Sequence, residues 1–157
     1  MSDPRIYPDR PFLAVSAAIF RDGKILLAQR ARPPVTGVYT LPGGVVELGE
    51  TLTEAVIREV MEETAMTIEP IALAGYRNVV LRDAEGRVQR HFVVLPFAAH
   101  WVEGEFTPSD ELAGGRWFEP TEVAGLKTTE GLADIVSVAL GLAQATPAAA
   151  SATSSGR

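Results

Sequence analysis

Cysteine is absent from this chain, which excludes a disulfide framework, a thiolate metal site and a cysteine nucleophile. Positive charge is also scarce, because 14 Lys and Arg stand against 20 Asp and Glu, giving a formal net charge of −6. Neutralising many phosphates requires a basic stripe, so we expect no docking surface for polymeric nucleic acid. A small phosphorylated ligand stays compatible with this charge, since a metal ion can supply positive charge locally.

Long apolar runs are missing as well. No stretch is long enough to span a bilayer, and the first residues, MSDPRIYPDRPF, lack the apolar region of a signal peptide. We therefore expect a cytoplasmic protein with no membrane partner.

The length and composition favour one domain. The 157 residues, of which 46% are hydrophobic, can bury one sizeable core and are too few to suggest two ordinary domains. We expect an N-terminal extension over residues 1–11 and the domain over residues 12–145. The last stretch, residues 146–157 (TPAAASATSSGR), is small, polar and low in complexity, which predicts a disordered tail.

Five apolar runs have the length and composition of β-strands, and they cover residues 13–20, 24–30, 71–82, 88–102 and 116–120. An Asp-Gly pair between the first two indicates a tight hairpin turn. Near the end, apolar residues recur at helical spacing from Leu132 to Ala143, with Thr129 as a candidate N-cap. We expect Trp117 to pack beneath this helix. Strands mixed with two separated helices predict an α+β domain, in which a mixed β-sheet is flanked by helices.

The segment from Gly43 to Met66, GGVVELGETLTEAVIREVMEETAM, predicts the other helix. Thr51 and Glu54 are spaced as a capping box, in which each side chain accepts a hydrogen bond from the other residue's backbone N–H. The helix should therefore begin at Leu52. At about 100° per residue, one broad arc is apolar and should face the core: Val56, Ile57, Val60 and Met61.

The opposite arc of this helix carries Glu59, Glu62 and Glu63, within about 100° of one another. Like charges repel at this spacing and also oppose the negative C-terminal end of the helix, so a compensating positive charge is expected. The preceding LPGG loop allows backbone carbonyls to approach closely. Carboxylates together with a carbonyl suit Mg²⁺ or Mn²⁺. By this spacing alone, a solvated surface helix explains the sequence equally well.

A longer pattern favours the metal site. It consists of Gly44, five residues, Glu50, seven residues, Arg58, Glu59, the apolar Val60, one residue, Glu62 and Glu63. With residue types used at their ordinary frequencies, such identities at fixed spacing arise by chance about once in ten million windows. The pattern resembles the Nudix box, the signature of the Nudix hydrolase superfamily.

The resemblance implies an α/β/α sandwich and an enzyme that uses divalent cations to cleave a nucleoside diphosphate linked to another group. Within the superfamily, the sequence looks most similar to the bacterial ADP-ribose pyrophosphatase-like members. The box covers Gly44 to Met66, and a looser likeness extends from about Phe12 to Leu140. One position departs from the pattern: Ala65 stands where the box normally closes with Gly, which bears on how the helix ends.

The resemblance also assigns roles to residues. It implies four metal ligands: Glu59, Glu62, Glu63 and the carbonyl of Gly43. Arg58 and Glu50 would brace the loop against the helix. The general base would be either Glu62 or Glu111, which lies in a later loop, and the sequence leaves both open. Glu111 can also be read as an ordinary loop carboxylate.

Substrate contacts are less well defined by the sequence. Arg30 and Arg32 precede the Gly-rich loop and could bind a substrate phosphate, although each can equally be a solvated surface arginine. Tyr39 could stack on a base, although an aromatic residue in a strand is more often part of a core. The expected partner is a small nucleotide, and a homodimer is compatible with the sequence.

Three functions remain open at this stage. The first is a metal-dependent pyrophosphohydrolase acting on an ADP-ribose-like compound or a nucleotide sugar. The second is a pyrophosphohydrolase that removes oxidised dNTPs, which would release pyrophosphate. The third is a non-catalytic nucleotide sensor, which would be expected to have lost box glutamates or gained a DNA-binding domain. This sequence keeps every acidic position of the box.

Overall fold

The structure, a computed structural model, describes residues 3–32 and 36–148. The strands are β1 (Phe12–Arg21), β2 (Lys24–Arg30), β3 (Tyr39–Thr40), β4 (Gly43–Val45), β5 (Thr67–Leu73), β6 (Arg77–Arg82), β7 (Val88–Glu103) and β8 (Leu112–Phe118). The helices are α1 (Leu52–Thr64) and α2 (Leu132–Ala145), with a short 3-10 helix at Pro120–Gly125.

Within the described residues, the strands form one mixed sheet around β1. Strand β1 runs parallel to β7, with Phe12 opposite Phe92 and Phe20 opposite His100. It pairs antiparallel with β4, and with β2 beside their shared turn. Strand β2 in turn pairs with β3 and β8, and β7 pairs with β5 and β6. The sheet is therefore mixed, as the sequence predicts.

The central strand is buried on both faces. Val15, Ala17 and Ile19 pack in one hydrophobic cluster with residues of α1, while Ala18 and Phe20 pack in a second cluster with residues of α2. Because successive side chains of a strand point to opposite faces, a strand covered on both sides needs an unbroken apolar run. The expected α/β/α sandwich, with a mixed β-sheet flanked by helices, is confirmed.

Several strand and helix boundaries differ from the sequence prediction, and β8 covers Leu112–Phe118 rather than residues 116–120. Residues 71–82 are not one strand, because β5 ends at Leu73 and β6 begins at Arg77. Gly75 lies between them with φ +125°, a conformation that L side chains rarely adopt. The N-cap of α2 is Gly131 rather than Thr129, so the helix begins at Leu132, two residues later than an N-cap at Thr129 implies.

Two side-chain orientations also differ. Trp117 does not pack beneath α2: its neighbour Phe118 joins the cluster under α2, so Trp117 faces the α1 side of the sheet. Ile57 and Met61 of α1 are exposed to 38% and 45%, so they lie at the border of the core arc rather than within it. The deeply buried residues of α1 are Ala55, Val56, Val60 and Thr64.

The ends of the domain are attached to the sheet. Tyr7, in the N-terminal extension, donates its N–H to the Gln89 carbonyl and its hydroxyl to Asp83 Oδ2, each at 2.8 Å. At the other end, Thr146 N–H bonds the Leu142 carbonyl, and the Thr146 carbonyl contacts the His100 ring. Residues 149–157 of the predicted tail lie outside the described residues. Among the residues that are described, no helix is both long and apolar enough to cross a membrane.

Candidate active site

Strand β4 brings two consecutive glycines between the sheet and helix α1. A Cβ on Gly43 would lie 2.1 Å from the Val15 carbonyl oxygen, so this residue has room for no side chain against β1. A Cβ on Gly44 would lie 2.4 Å from the Glu59 carboxylate. Each glycine is therefore required for a different reason, because Gly43 lies against the backbone of β1 and Gly44 lies against a carboxylate of α1.

Helix α1 is fixed at both ends. The capping box is present as predicted: Glu54 N–H donates to Thr51 Oγ1 at 3.1 Å, and Thr51 N–H donates to Glu54 Oε1 at 3.2 Å. At the other end, Ala65 is in the left-handed conformation, with φ 64° and ψ 20°, and its N–H bonds the Met61 carbonyl. Ala65, at the position where the Nudix box usually has Gly, thus adopts the left-handed conformation that favours Gly.

Arg58 supplies positive charge to the glutamates. Its Nη2 donates to Glu50 Oε1 at 2.8 Å, and its Nη1 donates to Glu59 at 2.9 Å and to Glu62 at 3.2 Å. The same Nη2 also bonds the carbonyl of Val45, at 3.1 Å. These bonds join the helix to the loop that precedes it, which is the arrangement that a brace between loop and helix requires.

The Glu50 end of this network behaves as a stable ion pair. Hydrogen bonding to Arg58, helped by the Glu47 backbone N–H, lowers the pKa of Glu50 to about 2. Hydrogen bonding to Glu50, helped by Glu59, raises the pKa of Arg58 in turn. Glu47 also approaches Arg58, at 3.8 Å, and the sequence pattern had assigned it no role because it lies outside the fixed spacing.

Glu59 and Glu63 are carboxylates that the protein removes from water. Burial raises the pKa of Glu63 to about 8, with further contributions from the charges of Glu59 and Glu111, although the Gly43 N–H donates to Glu63 Oε2 at 3.0 Å. Burial also raises the pKa of Glu59, against the opposing effect of Arg58. Both shifts mean that the negative charge at this position is incompletely compensated by the protein.

This donor set fits a hard divalent cation. Carboxylate oxygens are the ligands that Mg²⁺ and Mn²⁺ prefer, and a bound cation reverses the effect of burial on acidic groups. As the side chains stand, no three His, Asp or Glu residues in the described part of the chain form a ready-made cage. Two glutamates turn toward Arg58 and Glu63 accepts from Gly43, so holding an ion requires these side chains to rotate.

The structure brings two of the other candidate residues to this cluster. Glu111 and Arg30 both lie near enough to Glu63 for their charges to affect its pKa, in opposite directions. Arg30 Nε is buried and has no hydrogen-bond partner among the described residues. Arg32 contacts the Glu111 loop instead, with Nε 3.6 Å from Glu111 Oε1.

Tyr39 lies on the other face of the sheet. Its ring packs edge-on against Phe118, with centroids 5.2 Å apart, and it borders the cluster beneath α2. This is the packing that the core interpretation of Tyr39 describes. Of the three candidate metal ligands on α1, Glu59, Glu62 and Glu63, Glu62 is the most exposed, with 58% of its side chain accessible. It is therefore open to a reactant from solvent.

A three-layer sandwich with a carboxylate-bearing helix packed on a diglycine strand is the architecture of a Nudix fold. The chain belongs to the NUDIX domain family, whose model matches residues 10–138. The resemblance seen in the box is thereby confirmed over most of the chain.

Named relatives agree with this assignment. The chain is 37% identical over 109 residues to an ADP-ribose pyrophosphatase of Methanocaldococcus jannaschii, covering 69% of this chain and 62% of the relative. It is 34% identical over 121 residues to the NAD-capped RNA hydrolase NudC of Vibrio atlanticus, covering 76% of this chain and 40% of the relative. A crystal structure of a MutT NUDIX hydrolase from Burkholderia pseudomallei superposes with TM-score 0.65 at 31% identity, covering 86% of this chain and 99% of that one.

The chain thus spans less than two thirds of the length of these two curated relatives. One of them is named for capped RNA, so the expectation that polymeric nucleic acid is not a partner stays a prediction. The cytoplasmic location and the homodimer likewise stay predictions from the sequence.

Proposed function

We propose that this protein is a metal-dependent pyrophosphohydrolase that cleaves a nucleoside diphosphate linked to another group, with ADP-ribose as the first substrate to test. The observation that carries the proposal is the cluster of Glu59, Glu62 and Glu63, two of them half-buried and incompletely compensated, in a chain of the NUDIX family. The relative from M. jannaschii, named an ADP-ribose pyrophosphatase, supports the choice of substrate.

The cation would be held by these three carboxylates, with the carbonyl of Gly43 as the implied fourth ligand. Mg²⁺ or Mn²⁺, when bound, would neutralise the charge on the pyrophosphate and on the leaving phosphate. Arg58 bonds both Glu50 and the Val45 carbonyl of β4, and these bonds would keep the carboxylates of the helix against the diglycine. Because this brace is an ion pair with a strongly acidic partner, it persists at neutral pH.

Hydrolysis also needs a group that removes a proton from the attacking water. Water attacks one phosphorus atom, the bond from that phosphorus to the bridging oxygen breaks, and the water proton passes to a carboxylate. Glu62 and Glu111 remain the two candidates, since both side chains are more than half exposed beside the cluster. Glu63 is a poorer candidate for the general base, because burial raises its pKa and favours its protonated form in the absence of a cation.

A cationic side chain is available for the substrate's phosphates. Arg30 lies near Glu63, and its buried Nε lacks a hydrogen-bond partner among the described residues. A buried donor without a partner is costly, and a phosphate oxygen could satisfy it. We assign substrate phosphate binding to Arg30. Tyr39 is retained as a candidate for base stacking, although its contact with Phe118 favours a packing role.

The experiment is a substrate panel with the purified protein in Mg²⁺ and in Mn²⁺. ADP-ribose, a nucleotide sugar, NADH and 8-oxo-dGTP are incubated separately, and the products are resolved by chromatography. Two monophosphates from ADP-ribose support the proposal. Release of inorganic pyrophosphate from 8-oxo-dGTP alone would establish the sanitising alternative, and binding without turnover on every compound would establish the sensor.

A further inference from the structure

The loop between β7 and β8, residues 104–111, joins the candidate general base Glu111 to the carboxylate helix. Thr107 N–H donates to the carbonyl of Thr64, the last residue of α1, at 2.9 Å. The ring of Phe106 lies on β8, where a Cβ on Gly115 would be 2.5 Å from it. The first half of the loop is thus fixed to α1 and to the sheet.

The second half of the loop is held through its backbone. Ala31 N–H donates to the Glu111 carbonyl at 2.9 Å, and Ser109 and Leu112 exchange hydrogen bonds across a turn. None of these bonds fixes the Glu111 carboxylate, whose side chain is 52% exposed. Its direction must therefore come from charge interactions.

Arg32 provides the attractive interaction. Its Nε donates to the Asp110 carbonyl at 3.2 Å and lies 3.6 Å from Glu111 Oε1, while its Nη2 lies 3.8 Å from Asp110 Oδ2. A guanidinium donates in several directions from one rigid plane, so one side chain can contact backbone and carboxylate together.

The contacts of Arg32 all lie on the loop side of the site. Among the described residues, its polar contacts are with Asp110 and Glu111, and none is with helix α1. Arg32 is therefore placed to draw the half-exposed Glu111 carboxylate away from solvent.

We propose that Arg32 is a positioning residue, which holds the loop end and the Glu111 carboxylate beside the α1 glutamates. The proposal rests on the proposed function, with Glu111 as a group that takes part in the reaction. It reassigns Arg32, which the sequence offered as a phosphate ligand, and leaves that role to Arg30. The reason is that the Arg32 guanidinium already has protein acceptors, whereas Arg30 Nε has none among the described residues.

A double-mutant cycle tests the proposal. Arg32→Gln, Glu111→Gln and the double variant are assayed with ADP-ribose and Mg²⁺, and Arg82→Gln, an exposed arginine on β6, is the control. We expect Arg32→Gln to lower kcat about fivefold, the upper range for an exposed ion pair, with KM unchanged. The double variant should be no slower than Glu111→Gln alone, because both changes remove the same function. Arg32→Lys should recover part of the loss.

Three kinetic results would overturn the assignment. A rise in KM that multiplies in the double variant would make Arg32 a substrate ligand. Equal activity of Arg32→Gln and Arg82→Gln would show that Arg32 has no role. Full activity of Glu111→Gln would show that there is nothing for Arg32 to position.

Hydrogen exchange gives a second measurement that needs neither substrate nor metal. If Arg32 holds the loop, Arg32→Gln should raise the exchange of a peptide spanning residues 105–112 by about fivefold, and Arg82→Gln should not. Unchanged exchange overturns the proposal. If the wild-type protein hydrolyses no substrate, the proposed function fails, while the exchange result still decides whether Arg32 holds the loop.

Discussion

Arg58 explains how three glutamates can share one end of a helix. Its guanidinium donates to Glu59 and Glu62 of the helix and to Glu50 of the preceding loop. It therefore supplies part of the positive charge that the closely spaced helix glutamates require. Glu63 is left without a cationic hydrogen-bond partner and accepts only from the Gly43 backbone among the described contacts. Burial accordingly raises the pKa of Glu63 to about 8, so that without a cation this carboxyl is mostly protonated at pH 7. This makes Glu63 the most informative residue to change.

Replacing Glu63 with Gln should have opposite effects on folding and on activity. Burial raises the pKa of Glu63 to about 8, so without a cation the wild type takes up a proton at this carboxyl when it folds at neutral pH. Gln is neutral in both the folded and the unfolded state and avoids that cost, so the melting temperature in EDTA should equal or slightly exceed that of the wild type. The loss of a charged ligand should abolish most of the rise in melting temperature that Mg²⁺ gives, since a ligand stabilises only the state that binds it. Turnover should fall by orders of magnitude.

The control for this experiment is Glu85→Gln, in the turn between β6 and β7, which makes the same chemical change on an exposed residue. It should respond to Mg²⁺ as the wild type does. An active Glu63→Gln protein with an undiminished response to Mg²⁺ would contradict the metal site. It would favour a solvated surface helix instead.

The two adjacent glycines should respond differently to the same substitution. Gly43→Ala places a Cβ against the backbone of Val15 and Ser16, which cannot move aside, and should destabilise the fold by about 1–3 kcal/mol or more. Gly44→Ala meets only the end of the flexible Glu59 side chain. It should cost little stability and yet reduce turnover, because Glu59 is displaced.

Denaturant titration and activity measured on both glycine variants check this prediction. We expect Gly43→Ala to lose stability, and we expect Gly44→Ala to stay folded and lose activity. Equal stability of the two variants would show that the close approach of β4 to β1 is not required for folding.

At the scale of elements, helix α1 ends directly after Glu62 and Glu63. Ala65 has φ 64°, in the left-handed region, where a non-Gly residue is strained. The chain reverses there into β5, and Met66 and Ile68 enter the core beside α1. The loop from β7 then closes over this helix end through Thr107.

Ala65→Gly should therefore stabilise the protein by about 1 kcal/mol, because Gly adopts this conformation without strain. Part of that gain is offset by the greater freedom of Gly in the unfolded chain. As a matched control, Ala133→Gly in the right-handed backbone of α2 should destabilise by up to about 1 kcal/mol. Urea titration of both variants decides by sign, and destabilisation by Ala65→Gly would contradict the strained helix end.

At the scale of the whole molecule, both faces of β1 must be covered for the fold to exist, and each is covered by one helix. The site lies on the α1 face, while α2 supports the opposite face through Leu132, Val136 and Ala139. Beside the end of α2 is a cavity of about 460 Å³ lined by Phe20, Leu140 and other residues, on the face away from the carboxylates.

Truncation tests the boundary of the domain. Thr146 contacts His100 and is part of the folded unit, so a chain ending at Ala148 should keep both its melting temperature and its turnover almost unchanged. A chain ending before Thr146 removes the contact with His100 and the last bond of α2, and it should melt at a lower temperature. A drop of several degrees in the chain that ends at Ala148 would show that residues 149–157 contribute to the fold.

Sequence by itself determined the features that depend on neighbours in the chain. The capping box at Thr51, the start of α1 at Leu52 and the convergence of its glutamates follow from covalent spacing and the period of a helix. The apolar runs predicted a mixed sheet between helices, because each element must bury its apolar side against another. These are local rules, so one chain suffices to apply them.

Tertiary structure alone decided the features that depend on residues distant in the chain. Trp117 belongs to the α1 face because the register of β8 puts Phe118 beneath α2, and a shift of one residue would exchange them. Arg32 and Glu111 meet because β2 ends beside the loop before β8, almost eighty positions later in the chain. Such contacts follow from the summed packing of the whole sheet, and neither the period nor the spacing of a segment specifies them.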